Sequence, residues 1–240
     1  MNTPQSSAHT SVHPTAHSSI DFEALRYKLI EQQIRPWNVS DAEVLQTLRD
    51  VPRENYVSDS MKTLAFTDTQ LPLPGASQAS QVMFEPKMEA RILQTIKPRY
   101  KDRVLEIGTG SGYMAALLAA FADQVESVEI DPKMVSLAEG NLAKNLIKNV
   151  RVCQGDGYTG WGTQTYDVIC ISGSMPSLPD GLKLQLAVGG KLFVILGQAP
   201  VMRATLIERI EPSYFKETAL FETLTPSLQS PKVKIESFAF

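Results

Sequence analysis

The most constraining feature of this 240-residue chain is a short apolar segment that runs into clustered glycines and then into a helical pattern. The apolar segment is Arg103–Ile107, the glycines are Gly108, Gly110 and Gly112, and the helical pattern begins at Tyr113. In open α/β sheets, ligands bind at the carboxyl ends of strands, beside turns of this kind. Glycines there allow a tight turn and a close approach of backbone amides to a ligand. The motif predicts a ligand site, although a plain strand–helix turn would give the same pattern.

Downstream of the glycines, apolar strand patterns alternate with helical patterns. The predicted strands are Arg103–Ile107, Gln124–Ile130, Val150–Gln154, Asp167–Ser172 and Lys191–Leu196. The predicted helices are Tyr113–Phe121, Pro132–Leu146 and Leu178–Leu186, the last of them ended by Gly189 and Gly190. Two further strands, Val201–Ile210 and Ser213–Leu224, are expected as an antiparallel pair at the sheet edge. This alternation, with right-handed crossovers, predicts a doubly wound, mostly parallel α/β sheet with helices on both faces.

The region upstream of the sheet is helical and is expected to form a cap. Apolar residues recur at helical spacing from Asp21 until Pro36 ends the pattern. Ser40 followed by Glu43 predicts an N-cap and a capping box for a second helix. A third helix is expected over Glu85–Ile96. The intervening stretch Asp68–Pro86 lacks periodicity and is expected to be a loop that presents binding groups.

The first 20 residues differ in composition from the rest. They contain no charged side chain and are rich in Ser, Thr, His, Pro and Ala, which predicts a flexible tail over residues 1–20. His9, His13 and His17 all lie there, so the remaining chain has no imidazole for a catalytic triad or a zinc site. We therefore expect no metal centre. The remainder divides into a helical cap with a substrate loop over 21–98 and a ligand-binding sheet domain over 99–240.

The glycine spacing and a nearby acid indicate which ligand is bound. A dinucleotide site has the spacing Gly-x-Gly-x-x-Gly, with pyrophosphate at the helix N-terminus. Here the spacing is Gly-x-Gly-x-Gly, and Glu106 lies two residues before the first glycine. A carboxylate would repel phosphate but suits an ammonium group, and S-adenosylmethionine carries an ammonium and a sulfonium but no phosphate. A nicotinamide-dependent oxidoreductase is thus disfavoured, while Glu106 could also be a solvated strand-end carboxylate.

Two more acids follow the next strands. Glu129 ends the second strand, where a carboxylate can accept hydrogen bonds from both ribose hydroxyls. Ile130 beside it can pack on an adenine face, and Asp156 after the third strand can accept from the exocyclic adenine amine. Either acid alone also fits an ordinary surface position. Acids at the ends of three successive strands, beside a glycine turn, together favour one adenosyl ligand.

With these features the chain resembles the class I S-adenosylmethionine-dependent methyltransferases, and more narrowly the protein-L-isoaspartate O-methyltransferase family. The resemblance covers roughly Tyr27–Gly197. It is carried by Glu31–Arg35, Val51–Arg53, Leu71–Pro74, the glycine turn, Gly155–Gly157, Tyr166–Ile169 and Gln185–Leu192. It implies a Rossmann-like methyltransferase sheet that binds S-adenosyl-L-methionine. The predicted cofactor-binding residues are Glu106, Gly108, Thr109, Gly110, Ser111, Gly112, Glu129, Ile130, Asp156 and Gly157.

The resemblance also implies a reaction, the methylation of the carboxylate of an L-isoaspartyl residue in a damaged protein or peptide. A carboxylate is already ionised at neutral pH and needs no general base. Displacement at a sulfonium methyl group then depends mainly on positioning. A folded region without histidine is compatible with that chemistry.

The chain departs from the family within the predicted loop Asp68–Pro86. After Leu-Pro-Leu-Pro the family carries Gln-Thr-Ile-Ser-Gln-Pro, whose serine lies beside the transferred methyl group. Counting back from Pro86, Phe84 stands at the serine position. Ser80, in a loop that is longer here, is the candidate catalytic residue after a shift, and it also fits an ordinary loop serine. Phe84 leaves open a different small carboxylate acceptor, or a relative that holds the cofactor without catalysis.

Composition limits the expected partners and compartment. The 23 Lys and Arg against 26 Asp and Glu give a net charge of -3, without the basic surplus of a nucleic-acid binder. No apolar run reaches the length of a membrane span, and the N-terminus lacks a secretory signal pattern. Cys153 and Cys170 are too few for a disulfide framework. We expect a cytoplasmic enzyme that acts on a damaged protein or peptide, or on a small carboxylate, and binds neither nucleic acid nor membranes.

Overall fold

The computed structural model describes residues 20–229. The predicted tail, apart from Ile20, lies outside the described residues, and so do the three histidines. Among the described residues no helix is long and apolar enough to cross a membrane.

A seven-stranded sheet organises the described chain. Its strands are β3 (Arg103–Ile107), β4 (Gln124–Glu129), β5 (Val150–Gln154), β6 (Tyr166–Met175), β7 (Leu186–Gln198), β8 (Val201–Glu211) and β9 (Tyr214–Glu222). Their spatial order is β5-β4-β3-β6-β7-β8-β9. The pairs from β5 to β7 are parallel, and β8 and β9 add antiparallel to the edge. The predicted mostly parallel, doubly wound sheet with an antiparallel edge pair is confirmed.

Helices cover both faces of this sheet. They are α1 (Phe22–Leu29), α2 (Ala42–Asp50), α3 (Pro86–Ile96), α4 (Tyr113–Ala119), α5 (Pro132–Lys144) and α6 (Asp180–Leu184). One buried cluster joins the first five helices to one face of the sheet, and Leu182 of α6 belongs to a second cluster on the other face. The N-terminal helices therefore share a core with the sheet, in which Ile30, Ile92 and Leu117 are buried. The boundary between residues 98 and 99 remains a prediction.

Two local predictions were wrong. The N-cap of α2 is Asp41, whose carboxylate accepts from the amides of Glu43 and Val44, and Ser40 instead donates its amide to the Gln94 side chain. Asp41 is one residue closer to the first helical turn, and the side chain of Lys97 also binds it.

The second correction concerns Gly189 and Gly190, which do not end α6 but lie inside β7. Between the pairs Tyr166–Leu186 and Val168–Lys191, β7 has more residues than β6, so it bulges. Gly189 has a φ of +82° there, and a Cβ at Gly190 would lie 2.8 Å from the Asp167 carbonyl oxygen. The glycines thus mark a bulge where the sequence suggested a helix end.

The predicted loop over Asp68–Pro86 contains a small hairpin. Its two short strands, β1 (Leu71–Pro72) and β2 (Val82–Met83), pair antiparallel. The residues between them, 73–81, belong to the loop predicted to meet the methyl acceptor and are called the acceptor loop below. Far along the chain, residues 223–229 form a C-terminal segment that runs along the end of β6, where Leu228 donates its amide to the Ser174 carbonyl at 2.9 Å. Both segments reach the carboxyl ends of the parallel strands.

Candidate active site

The site lies where the strand order of the sheet reverses. From β3 the chain continues to β4 on one side, while β6 lies on the other side of β3. Such a switch point leaves a crevice outside the carboxyl ends of the strands. The outer cavity found there is open to solvent, and its empty volume is about 690 Å³ when that open space is counted. It is lined by the predicted residues Ser80, Gly108, Gly110, Glu129, Ile130, Asp156 and Gly157.

An inner cavity, also open to solvent, adjoins the outer one and has an empty volume of about 320 Å³ on the same count. Five residues line both cavities: Leu73, Val82, Gly108, Gly110 and Ser172. The remaining predicted residues Glu106, Thr109 and Ser111 line the inner cavity, together with Phe84. Gly112 lines neither, since a Cβ there would lie 3.4 Å from the backbone of Ala138 in α5. The structure thus divides the predicted site between two adjoining spaces.

The glycine turn lies against the outer cavity through Gly108 and Gly110. Gly110 has a φ of +53°, and a Cβ on it would lie 3.1 Å from the Leu73 side chain. Its amide donates to Glu129 Oε2 at 2.9 Å. Position 110 therefore requires glycine both for its backbone conformation and for the approach of the acceptor loop.

Glu129 is held in a fixed orientation at the end of β4. Its Oε2 accepts from Gly110, and its Oε1 accepts from the amide of Asp131 at 3.0 Å. The side chain is buried but borders the outer cavity. A carboxylate oxygen can accept more than one hydrogen bond, so Glu129 retains capacity for ligand hydroxyls.

Asp156 lies in the same cavity, on the turn after β5. Its Oδ1 accepts from the Tyr158 amide at 3.0 Å. The flanking glycines let neighbouring side chains pack closely against this turn. A Cβ on Gly157 would lie 2.5 Å from the Ile107 side chain, and one on Gly155 would lie 2.4 Å from the Trp161 ring. Trp161 is therefore a packing residue in this turn and does not line the cavity.

Glu106 is more deeply placed than the other two acids. It is fully buried, and its oxygens accept from Ser127 Oγ at 2.6 Å and Ser172 Oγ at 2.8 Å. Burial raises the pKa of Glu106 to about 8, the two hydroxyls oppose this, and the negative charge of Glu129 adds to it. The alternative that Glu106 is a solvated carboxylate is excluded by its burial, and a cationic ligand group nearby would relieve the cost of ionising it.

A buried ion pair supports the wall of the inner cavity. Arg53 Nε donates to Glu89 Oε2 at 2.9 Å, and the guanidinium also donates to the carbonyls of Ala65 and Phe84. Both charged side chains are almost completely buried. Burial raises the pKa of Glu89 to about 7, against the opposing effect of Arg53. Arg53 thus fixes the backbone at Phe84, a role that the sequence alone did not reveal.

The acceptor loop is fastened by side-chain amides. Gln229 donates to Ser80 Oγ at 3.1 Å and to Gln78 Oε1 at 2.6 Å, and Gln81 donates to Asp131 Oδ2 at 2.7 Å. Both Gln81 and Gln229 line the outer cavity. The sequence did not reveal these contacts, because the partners lie 50 to 151 residues apart in the chain and no local pattern links them.

The chemistry of the outer cavity favours hydroxyl and amine donors over phosphate. Its described lining contains the carboxylates of Glu129 and Asp156 but no Lys, Arg or His. Apolar surface comes from Leu73, Ile130 and Leu228. A ligand with an adenosine moiety and no phosphate fits this donor set, whereas a pyrophosphate would be unpaired and repelled.

Comparison with known proteins gives a consistent result. The family model described as Protein-L-isoaspartate(D-aspartate) O-methyltransferase matches residues 24–225. Protein-L-isoaspartate O-methyltransferase 1 of Rhodopseudomonas palustris (strain HaA2) is 38% identical over 185 residues, which cover 77% of this chain and 74% of the relative. Protein-L-isoaspartate O-methyltransferase 1 of Syntrophobacter fumaroxidans is 35% identical over 202 residues, covering 84% and 92%.

A solved structure agrees with these sequence relatives. It is that of a protein-L-isoaspartate O-methyltransferase, to which this chain is 26% identical with a TM-score of 0.75. The match covers 87% of this chain and 66% of the other, so this chain spans just under two thirds of that protein. The residues matched by the family model, 24–225, include the N-terminal helices, the acceptor loop and the sheet through β9.

Proposed function

Because the chain belongs to the protein-L-isoaspartate(D-aspartate) O-methyltransferase family, we propose that it methylates the carboxylate of L-isoaspartyl residues in damaged proteins and peptides, with S-adenosyl-L-methionine as cofactor. The observation that carries the proposal is the outer cavity, where a glycine turn and two carboxylates meet without a cationic side chain in the described lining. When bound, the cofactor supplies an electrophilic methyl group on a sulfonium.

The residues of the outer cavity fit the parts of that cofactor. Glu129 is the proposed acceptor for the ribose hydroxyls, Asp156 for the adenine amine, and Ile130 for contact with the adenine face. The backbone of Gly108 and Gly110 lies against the same space. Glu106, in the adjoining inner cavity, is proposed to face the ammonium end, where its buried carboxylate lacks a cationic hydrogen-bond partner among the described residues.

The acceptor needs orientation more than activation. An isoaspartyl carboxylate is ionised at neutral pH, so a carboxylate oxygen is already a nucleophile and forms the new O–CH₃ bond without proton loss. Ser80 is the proposed catalytic residue that orients it. Its Oγ accepts from Gln229, which leaves the hydroxyl hydrogen available to the acceptor carboxylate.

Phe84 supports a second candidate: an enzyme with a different small carboxylate acceptor, or a relative that binds the cofactor without turnover. Its side chain is buried in the wall of the inner cavity, where the family serine is absent. Under this alternative the protein would bind cofactor but would methylate a different small carboxylate, or nothing.

A vapour-diffusion assay separates these candidates, because the methyl ester hydrolyses to methanol. S-adenosylmethionine labelled in its transferable methyl group is supplied with an isoaspartyl peptide and, separately, with the same peptide carrying a normal aspartyl residue. The proposal predicts volatile label with the isoaspartyl peptide alone. Binding of S-adenosylhomocysteine without label release from the peptide would overturn the acceptor and favour the second candidate.

We also propose a cytoplasmic location. Both cysteines, Cys153 and Cys170, are free thiols, and Cys170 is buried in the sheet. Free thiols fit a reducing compartment. Fractionation of source cells with an antibody against the protein tests this, and recovery from a secreted or membrane fraction would contradict it.

A further inference from the structure

Gln81 uses both ends of its side-chain amide. Its Oε1 accepts from the backbone amides of Ser77 and Gln78, at 2.7 and 3.2 Å, which closes the turn of the acceptor loop. Its Nε2 donates to Asp131 Oδ2 at 2.7 Å. Because backbone amides occupy the oxygen, the amide cannot flip without losing those bonds. The direction of the Gln81–Asp131 hydrogen bond is therefore fixed.

Asp131 connects that bond to the cofactor site. It is the N-cap of α5, where its Oδ1 accepts from the Lys133 amide at 2.9 Å. Its own amide donates to Glu129 Oε1, and Glu129 Oε2 accepts from Gly110. A continuous hydrogen-bonded path thus runs from the acceptor loop through Gln81 and Asp131 to the acid proposed to hold the ribose.

We propose that Gln81 is a positioning residue that couples the acceptor loop to the ribose end of the cofactor site. This inference rests on the proposed function. A cofactor seated against Glu129 then favours the hydrogen-bonded conformation of the acceptor loop, and that conformation favours the seated cofactor, because the two share one path of contacts. Neither Gln81 nor Asp131 takes part in bond making.

Because the direction of the Gln81–Asp131 hydrogen bond is fixed, the donor and the acceptor can be exchanged between the two residues by substitution. Gln81→Glu places a carboxylate against the Asp131 carboxylate. Asp131→Asn keeps the N-cap oxygen but turns an amide donor toward the Gln81 amide donor. The double variant Q81E/D131N restores one donor and one acceptor with the polarity reversed, and its net charge equals that of the natural chain.

The experiment measures the Kd of S-adenosylhomocysteine by calorimetry, with the KM for cofactor and kcat on an isoaspartyl peptide. Each single variant is expected to weaken cofactor binding about tenfold, as for one hydrogen bond to a charged group. The Kd of the double variant is expected to lie within about threefold of the Kd of the natural chain, because one hydrogen bond to a charged group is restored. The loss is expected in Kd and KM more than in kcat.

A matched control exists on α2, where Gln46 Nε2 donates to Asp50 Oδ1 at 2.9 Å on the exposed surface. Q46E, D50N and their double variant make the same chemical changes far from the cavity. They are expected to leave cofactor affinity unchanged. Thermal melts verify folding, and if Gln81→Glu does not fold, Gln81→Met removes the same bonds without adding a charge and carries the same expectation.

Two results would overturn the inference while sparing the proposed function: single variants that bind like the natural chain, or a double variant as weak as the weaker single. If the natural chain itself fails to bind S-adenosylhomocysteine, the proposed function fails first.

Discussion

The two sides of the active site are built differently. The cofactor side is formed within residues 106–157, by short turns at the ends of β3, β4 and β5. The acceptor side is formed by the acceptor loop and the C-terminal segment, which are joined by side-chain amides such as those of Gln78 and Gln229. The first is built from backbone conformation and the second from contacts between distant segments.

Substitutions on the two sides should therefore affect different properties of the protein. Substitutions on the cofactor side meet backbone and buried acids, so they should alter affinity steeply. Most substitutions on the acceptor side remove single hydrogen bonds that are exposed or half-buried, so they should alter turnover modestly. Two exceptions are Gln81, whose proposed coupling acts on cofactor affinity, and Arg53, through which the acceptor side depends on the buried core.

Arg53→Met should have the largest effect, about 3–5 kcal/mol of lost unfolding free energy, because it leaves Glu89 buried without its cation. Urea denaturation measures this. The double variant R53M/E89L should recover part of the loss, since no charge is then buried. A loss below about 1 kcal/mol in the single variant, the range of an exposed ion pair, would contradict the assignment of Arg53 and Glu89 as a buried, mutually dependent pair.

Glu106 should make the stability of the cofactor-free protein depend on pH. The pKa of this carboxyl rises from 4.5 to about 8 on folding, so the folded chain holds a proton that the unfolded chain has released across that range. Stability should therefore fall as pH rises from about 5 to 8, by at most about 1.4 kcal/mol per pH unit. Urea melts at several pH values should show a shallower fall for Glu106→Gln, and equal slopes would refute the assignment.

Gly110→Val should weaken S-adenosylhomocysteine binding by about 100-fold or more, which is about 2.7 kcal/mol. The positive φ disfavours valine, and its side chain would meet Leu73. Calorimetry measures the affinity. Gly140→Ala is the matched control, because a Cβ there meets nothing within 4 Å. Unchanged affinity in Gly110→Val would mean that the turn does not contact the ligand.

Glu129→Ala should weaken cofactor binding by about tenfold, since it removes a charged acceptor for hydroxyl groups. The exposed Glu139→Ala on α5 removes the same charge away from the cavity and should bind normally. A comparable loss in both variants would point to general electrostatics instead of a ribose contact.

Ser80→Ala should have the smallest effect, a several-fold fall in kcat/KM for the isoaspartyl peptide with an unchanged Kd for cofactor, as for one neutral hydrogen bond. Ser213→Ala, in the exposed turn between β8 and β9, is the control. Full activity in Ser80→Ala would remove its catalytic assignment and leave the cofactor side intact.

The same difference explains what the sequence could predict. The strand that enters the glycine turn and the acids after β4 and β5 are local patterns, so the sheet and the residues of the outer cavity could be anticipated. Gly189 and Gly190 were predicted to end a helix but lie in a bulge, because a bulge and a helix end need the same backbone freedom. The contacts of Gln229 with Ser80 and of Arg53 with Phe84 depend on tertiary packing, which periodicity does not encode.

The central claim is that the outer cavity is made for an adenosyl ligand without phosphate. Its most direct test is parallel calorimetry of the full chain with S-adenosylhomocysteine and with NAD. We predict saturable binding of S-adenosylhomocysteine at one site and no measurable binding of NAD at the same concentrations. Comparable binding of NAD, or no binding of S-adenosylhomocysteine by folded protein, would contradict the claim.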